Sequence, residues 1–115
     1  MEIKDLDYHI QFDEATRTVK FVGSIRLQNL PAYEPIKNFL RDVAKLCQGV
    51  SLTMDFKELQ FVNSSGITTL SMFIIDSRKS ASYQIKILGS LNVSWQSKSL
   101  SNFKKLWDQV VLEIA

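Results

Sequence analysis

The apolar residues of this 115-residue chain change period repeatedly, and each change marks a switch between strand and helix. Tyr8, Ile10 and Phe12 alternate with polar residues, and so do Val19, Phe21 and Ile25 after the polar stretch Asp13-Glu14-Ala15-Thr16. Period-two alternation around a short polar break specifies an antiparallel hairpin. Gly23 predicts a bend or a close approach in its second strand. Ile36, Phe39, Leu40, Val43, Ala44 and Cys47 then follow at helical spacing, with Pro35 at the start, where its missing N–H costs nothing, and Gly49 as the stop. Lys37, Asn38, Arg41, Asp42 and Lys45 fall on the other face, as in an amphipathic helix covering a sheet.

Val50 to Phe56 reads as a strand with Leu52, Met54 and Phe56 on one side, and Leu59, Phe61 and Val62 bring the chain to Asn63. A second helix is expected from about Gly66 to Ser80. Its apolar set is Ile67, Leu70, Phe73 and Ile74 with Met72 and Ile75 in addition, wider than one buried stripe requires. Gln84 to Leu88 is a further strand ending at Gly89; Leu100, Phe103, Leu106 and Trp107 mark a third helix; Val110, Leu112 and Ile114 close with a short strand. Strands separated by helices imply βαβ crossovers. The expected fold is therefore a single α/β domain over residues 1–115: a mixed sheet, an N-terminal hairpin plus parallel strands, covered by amphipathic helices.

Composition narrows the function. Apolar residues make up 45% and charged residues 23%, enough for a packed core, and the net charge of +2 does not imply steering toward nucleic acid or anionic lipid. The single cysteine excludes an internal disulfide and points to a reducing compartment. The N-terminus has no signal-peptide core and no apolar run reaches bilayer length, so a soluble cytoplasmic protein is expected, with no nucleic acid or membrane partner.

The inventory for catalysis is thin. The only histidine, His9, alternates with apolar strand positions and is expected at the surface; one Cys and one His cannot supply a metal site. The glycines form neither a dinucleotide-binding nor a phosphate-binding loop, and no serine stands in a nucleophile-elbow sequence. Cys47, on the apolar face of the first helix, reads as a small core residue. No catalytic residue, metal or cofactor is expected, and the chain does not read as an enzyme.

The segment Asn63-Ser64-Ser65-Gly66 opens the second helix. It is in the first place an N-cap run, because Asn and Ser side chains accept hydrogen bonds from the first free backbone N–H groups. The same place favours negative charge, and a phosphoserine there would add nearly two charges to a neutral surface. Gly66 leaves the backbone beside Ser65 open to a kinase.

Met54-Asp55-Phe56 followed by Phe61-Val62-Asn63-Ser64-Ser65-Gly66-Ile67-Thr68-Thr69-Leu70 resembles the signature of the STAS family, the anti-sigma factor antagonists and related domains. In that pattern an aspartate closes a strand, and Asp-Ser-Ser/Thr-Gly-Leu opens a helix. The resemblance extends over nearly the whole chain. It implies a protein partner, often a serine kinase that doubles as an anti-sigma factor, and an opposing metal-dependent serine phosphatase. It places the phosphoacceptor at Ser65, with Ser64 second, and the motif at Asp55, Asn63, Ser64, Gly66 and Ile67. Asn63 replaces the family's usual aspartate, and Arg26 stands where an acidic residue is common; both remove negative charge beside the phosphosite. The partner is then an anti-sigma kinase, or else a different kinase, a cyclase, a transport assembly or a signalling scaffold.

Three readings follow: a phospho-switched partner-binding protein, with Met72 and Ile75 either in the docking patch or under the neighbouring helix; an unphosphorylated scaffold or assembly subunit of the same fold; and a small-ligand or lipid-handling module, for which no residue marks a pocket.

Overall fold

Among the described residues six strands lie side by side in the order in which they occur along the chain. They are β1 (Glu2–Lys4), β2 (Tyr8–Asp13), β3 (Thr18–Ile25), β4 (Ser51–Val62), β5 (Gln84–Gly89) and β6 (Val111–Ile114). The computed structural model describes residues 1–80 and 83–115. The Ser-rich stretch 77–82 therefore lies partly outside the described residues. β1, β2 and β3 are antiparallel to one another, and β3 through β6 are parallel. Helices α1 (Glu34–Leu46), α2 (Ser64–Ser80) and α3 (Gln96–Leu106) supply the crossovers, and a 3-10 helix, Leu30–Tyr33, precedes α1.

This strand order decides where the helices go. Right-handed crossovers that always advance in the same direction put every helix on the same face. Ile10, Phe12, Val19, Phe21, Leu52, Met54, Phe56, Ile85 and Ile87 point into one core with the buried faces of α1, α2 and α3. Parallel sheets are usually covered on both faces. Here the second face is polar and carries the pairs His9–Glu2 (2.6 Å), Lys20–Glu58 (2.5 Å) and Lys86–Glu113 (3.2 Å).

The hairpin and α1 lie as the periodicity predicts. Gly23 has φ +97°, and a Cβ there would meet the Asp7 carbonyl oxygen at 2.2 Å, so the close approach is real. Cys47 is fully buried beyond the end of α1. Burial pushes its thiol pKa up, partly offset by the Arg17 charge. His9 is half-buried, with Nε2 2.6 Å from a Glu2 carboxylate oxygen.

Two expectations are corrected. β1 adds a strand too short to show a period. β4 does not stop at Phe56 but runs to Val62, so Asp55 lies inside a strand and does not close one. Between the pairs Lys20↔Asp55 and Val22↔Glu58, and again between Gly23↔Leu59 and Ser24↔Phe61, β4 carries one extra residue. Each bulge shifts the phase, so the inward residues after Phe56 are Leu59 and Val62. Gln96, fully buried at the start of α3, holds the bulged segment: Nε2 donates to the carbonyls of Phe56 (2.6 Å) and Leu59 (3.0 Å), and Oε1 accepts from Ser90 N–H (2.7 Å). Among the described residues no helix is long and apolar enough to cross a membrane.

Candidate functional site

α2 begins two residues earlier than its periodicity suggests, at Ser64, because Asn63 caps it. The Asn63 carbonyl accepts from Ile67 N–H (3.0 Å), and its side-chain Oδ1 accepts from Gly66 N–H (3.0 Å). This is N-cap geometry, with the side chain satisfying one of the helix's free donors. Asn63 N–H itself donates to the Ile25 carbonyl (3.2 Å), which fixes the cap to the end of β3.

The other half of the Asn63 amide is used as well. Nδ2 donates to the Leu27 carbonyl at 2.7 Å. The Tyr33 hydroxyl donates to Asn63 Oδ1 and accepts from Leu27 N–H (3.4 Å). Tyr33 is 2% exposed, and burial raises its pKa, which keeps the phenol protonated as a donor. Asn63, Leu27 and Tyr33 thus close a ring that ties the start of α2 to the segment entering the 3-10 helix.

Gly66 is buried over this ring, so its bare backbone serves packing; it does not open the chain beside Ser65 to a kinase, the role that the sequence suggests. A Cβ at Gly66 would lie 2.3 Å from Val62 Cγ2 and 2.8 Å from Tyr33 Oη. The enclosed space beneath, between Phe21, Ile25, Tyr33, Val62 and Leu70, is about 10 Å³, at the threshold for one water. The space beneath the cap is therefore too small for a ligand.

On the surface Ser64 is exposed and Ser65 half-buried. Among the described residues neither hydroxyl makes a hydrogen bond, which is also true of Thr68 and Ser71 on the same helix, whereas those of Thr69, Ser77 and Ser80 are engaged. The first turn of α2 contains no acidic residue. Arg26 is exposed, and its guanidinium carbon sits 4.5 Å from the centre of the Phe61 ring. Met72 and Phe61 are each 38% exposed, and Leu30 is 48% exposed. Met72 and Leu30 line one shallow groove with Pro31 and Thr69. Ile67 is half-buried against the core and Ile75 is half-buried.

Of the residues singled out from the sequence, Arg26, Asn63, Ser64, Ser65, Gly66 and Ile67 come together at the carboxyl end of the parallel strands. Met72 lies about two turns along α2. Asp55 is seven residues back from Val62 along β4, about 23 Å away at the usual rise per residue. It accepts from Lys57 N–H (3.0 Å) and pairs in register with Lys20 and Leu88. Tyr33 and Leu27 enter the site only in the folded chain; the contacts that bring them in span 30 and 36 residues, and no local pattern announces them.

No family model matches the chain, and no curated protein matches it by sequence. Solved structures do. A chain from the crystal structure of the diguanylate cyclase SiaD in complex with its activator SiaC, from Pseudomonas aeruginosa, superimposes with a TM-score of 0.73 at 10% identity, covering 100% of this chain and 99% of that one. Apo-SiaC from the same organism gives 0.70 at 14% identity over 99% and 98%. An anti-sigma factor antagonist from Mycobacterium paratuberculosis gives 0.58 at 12% identity over 96% and 82%. The fold is that of an anti-sigma factor antagonist, as the motif suggests.

Proposed function

We propose that this chain is a regulatory protein-binding module, switched by reversible phosphorylation of Ser65 at the start of α2, with Ser64 as the second acceptor. The observation that carries the reading is the state of the two hydroxyls. Both stand in the first turn of a rigidly capped helix, neither is engaged, and no carboxylate occupies that turn. A dianionic phosphate added there changes the charge of the surface without disturbing the core. The exposed apolar side chain of Phe61 beside the cap, and those of Leu30 and Met72, which line one groove further along α2, supply area for a docked partner. Asn63, Gly66 and Ile67 hold the geometry, Arg26 and Met72 contribute contacts, and Ile75 is half-buried about one turn beyond Met72.

The partner is a protein: a serine kinase of the anti-sigma type, opposed by a serine phosphatase, or an effector enzyme. SiaC, similar in fold, activates a diguanylate cyclase, so a cyclase is a partner of the right kind. The setting is the cytoplasm, and the chain is not itself an enzyme.

Titration of the purified partner with wild type, Ser65→Ala and Ser65→Asp tests the switch. Ser65→Ala retains binding and Ser65→Asp loses it at least tenfold, with unchanged thermal stability. Equal affinity of all three defeats the switch.

A second reading, a constitutive scaffold, is favoured by the completeness of the Asn63 ring, which holds the α2 terminus in one state. Intact-mass measurement on protein from its own host separates the two: phosphate on Ser65 excludes the scaffold, and its absence under every growth condition supports it.

A further inference from the structure

Among the described residues Arg26 is an exposed cation with no carboxylate partner. The ion pairs among the described residues use Lys20, Lys57, Lys86 and His9. Its guanidinium lies instead on the ring of Phe61, itself an exposed aromatic. Such a contact is weak at a solvated site. The position of Arg26 is nonetheless tightly set. The preceding residue, Ile25, pairs with Val62 and accepts the Asn63 N–H, so Arg26 emerges next to Asn63. Ser65 is two peptide units further on, no more than about 8 Å of Cα path.

We propose that Arg26 is the counter-ion of a phosphate on Ser65, and that phosphorylation draws its guanidinium off the Phe61 ring. This rests on the phosphorylation read above and names how that site is regulated. A phosphate carries nearly two charges and three strong acceptor oxygens, and the guanidinium fork matches it bidentately. The ring offers only the negative face of its quadrupole. In the unmodified protein Arg26 and Phe61 form one composite surface, cationic over apolar. In the phosphorylated protein the cation is neutralised beside Ser65 and the Phe61 ring is bare. The partner therefore meets a change in both charge and shape, although the backbone stays where Asn63 fixes it.

The test places phosphoserine at position 65 during translation, in wild type and in Arg26→Gln, and needs neither kinase nor partner. Phosphorus NMR follows the second ionisation of the phosphate, near pH 6 in isolation. It falls by at least several tenths of a unit in the Arg26 protein relative to Arg26→Gln. In proton spectra the δ-methylene signals of Arg26, shifted by the Phe61 ring in the unmodified protein, return toward ordinary positions when phosphate is present. Identical phosphate titrations in the two proteins, or Arg26 signals unmoved by phosphate, overturn the proposal. Arg26 is exposed, so Arg26→Gln folds, and matching circular dichroism and melting confirm it. If protein from the host never carries phosphate, the switch fails while the Arg26 result still stands, so the two failures are separable.

Discussion

The side-chain amide of Asn63 donates to the backbone carbonyl of Leu27 at 2.7 Å, across 36 residues of chain. An aspartate at this position could still accept from Gly66 N–H and from the Tyr33 hydroxyl. It could not donate to Leu27, and it would set a carboxylate oxygen against a carbonyl. Asn63 therefore serves an acceptor that an aspartate would leave unpaired. Asn63→Asp is expected to destabilise the fold by about 1 kcal/mol in urea denaturation, as for a part-buried acceptor left without its donor. Asn63→Ala, which removes the shared Oδ1 acceptor, combined with Tyr33→Phe should give a non-additive double-mutant cycle. Additivity would dissolve the ring into independent contacts.

Gly66→Ala separates helix propensity from packing. Alanine is the better helix former by about 1 kcal/mol. The added methyl would stand 2.3 Å from Val62 Cγ2, however, and overpacking of this kind costs about 1–3 kcal/mol. Net destabilisation is expected, and Val62→Ala in the same chain should reduce it. A more stable Gly66→Ala protein would contradict the packing seen here.

Gln96→Leu removes the buried clamp on the β4 bulges. The carbonyl of Phe56 and the N–H of Ser90 lose their partner, while the Leu59 carbonyl keeps Trp95 Nε1 at 3.1 Å. Two orphaned groups at about 1–3 kcal/mol each make this one of the most damaging substitutions of similar volume. Equilibrium unfolding of Gln96→Leu beside Gln96→Glu reads the cost; a loss below about 1 kcal/mol would mean that the segment holds itself.

Met72→Lys should leave stability within about 0.5 kcal/mol of wild type, since the side chain is exposed. Partner affinity should fall at least tenfold in a binding titration. Weakened folding with intact binding would place Met72 in the core.

Alkaline conditions should destabilise the protein. Burial raises the pKa of Cys47, Tyr33 and Tyr83 from ordinary values of 9.0, 10.0 and 10.0. For each, the unfolded chain releases its proton first as pH rises, so the unfolded state binds fewer protons and stability declines. The stabilisation is intact below about pH 9 and is lost as pH climbs through the raised folded values. Denaturation midpoints at pH 7, 9 and 10.5 check this. Iodoacetamide should likewise label Cys47 slowly in the native state and fast in denaturant.

Much of the fold is legible wherever one period is sustained. Ile10–Phe12, Val19–Phe21 and Ile36–Cys47 declare a hairpin and a helix, and the glycines punctuate them. β1 is silent because three residues cannot display a period. The second half of β4 is silent because two bulges break the alternation. At the site, Asn63 and the serines are visible as a cap, since capping is local. The ring is not, because Leu27 contributes only backbone and Tyr33 arrives from another element. In α2 the buried Thr69 and Ser77 and the exposed Met72 each go against the polarity of the residue, which blurs which face of that helix is free.

The one-directional strand order has a further consequence for how such a chain can change. On the uncovered face of the sheet every second strand residue answers only to its neighbour on the next strand, and exchanges there can be made in pairs without repacking the interior. Drift on that face leaves the outline intact. A domain wound this way can share one residue in ten with a similar fold and still superimpose over its whole length.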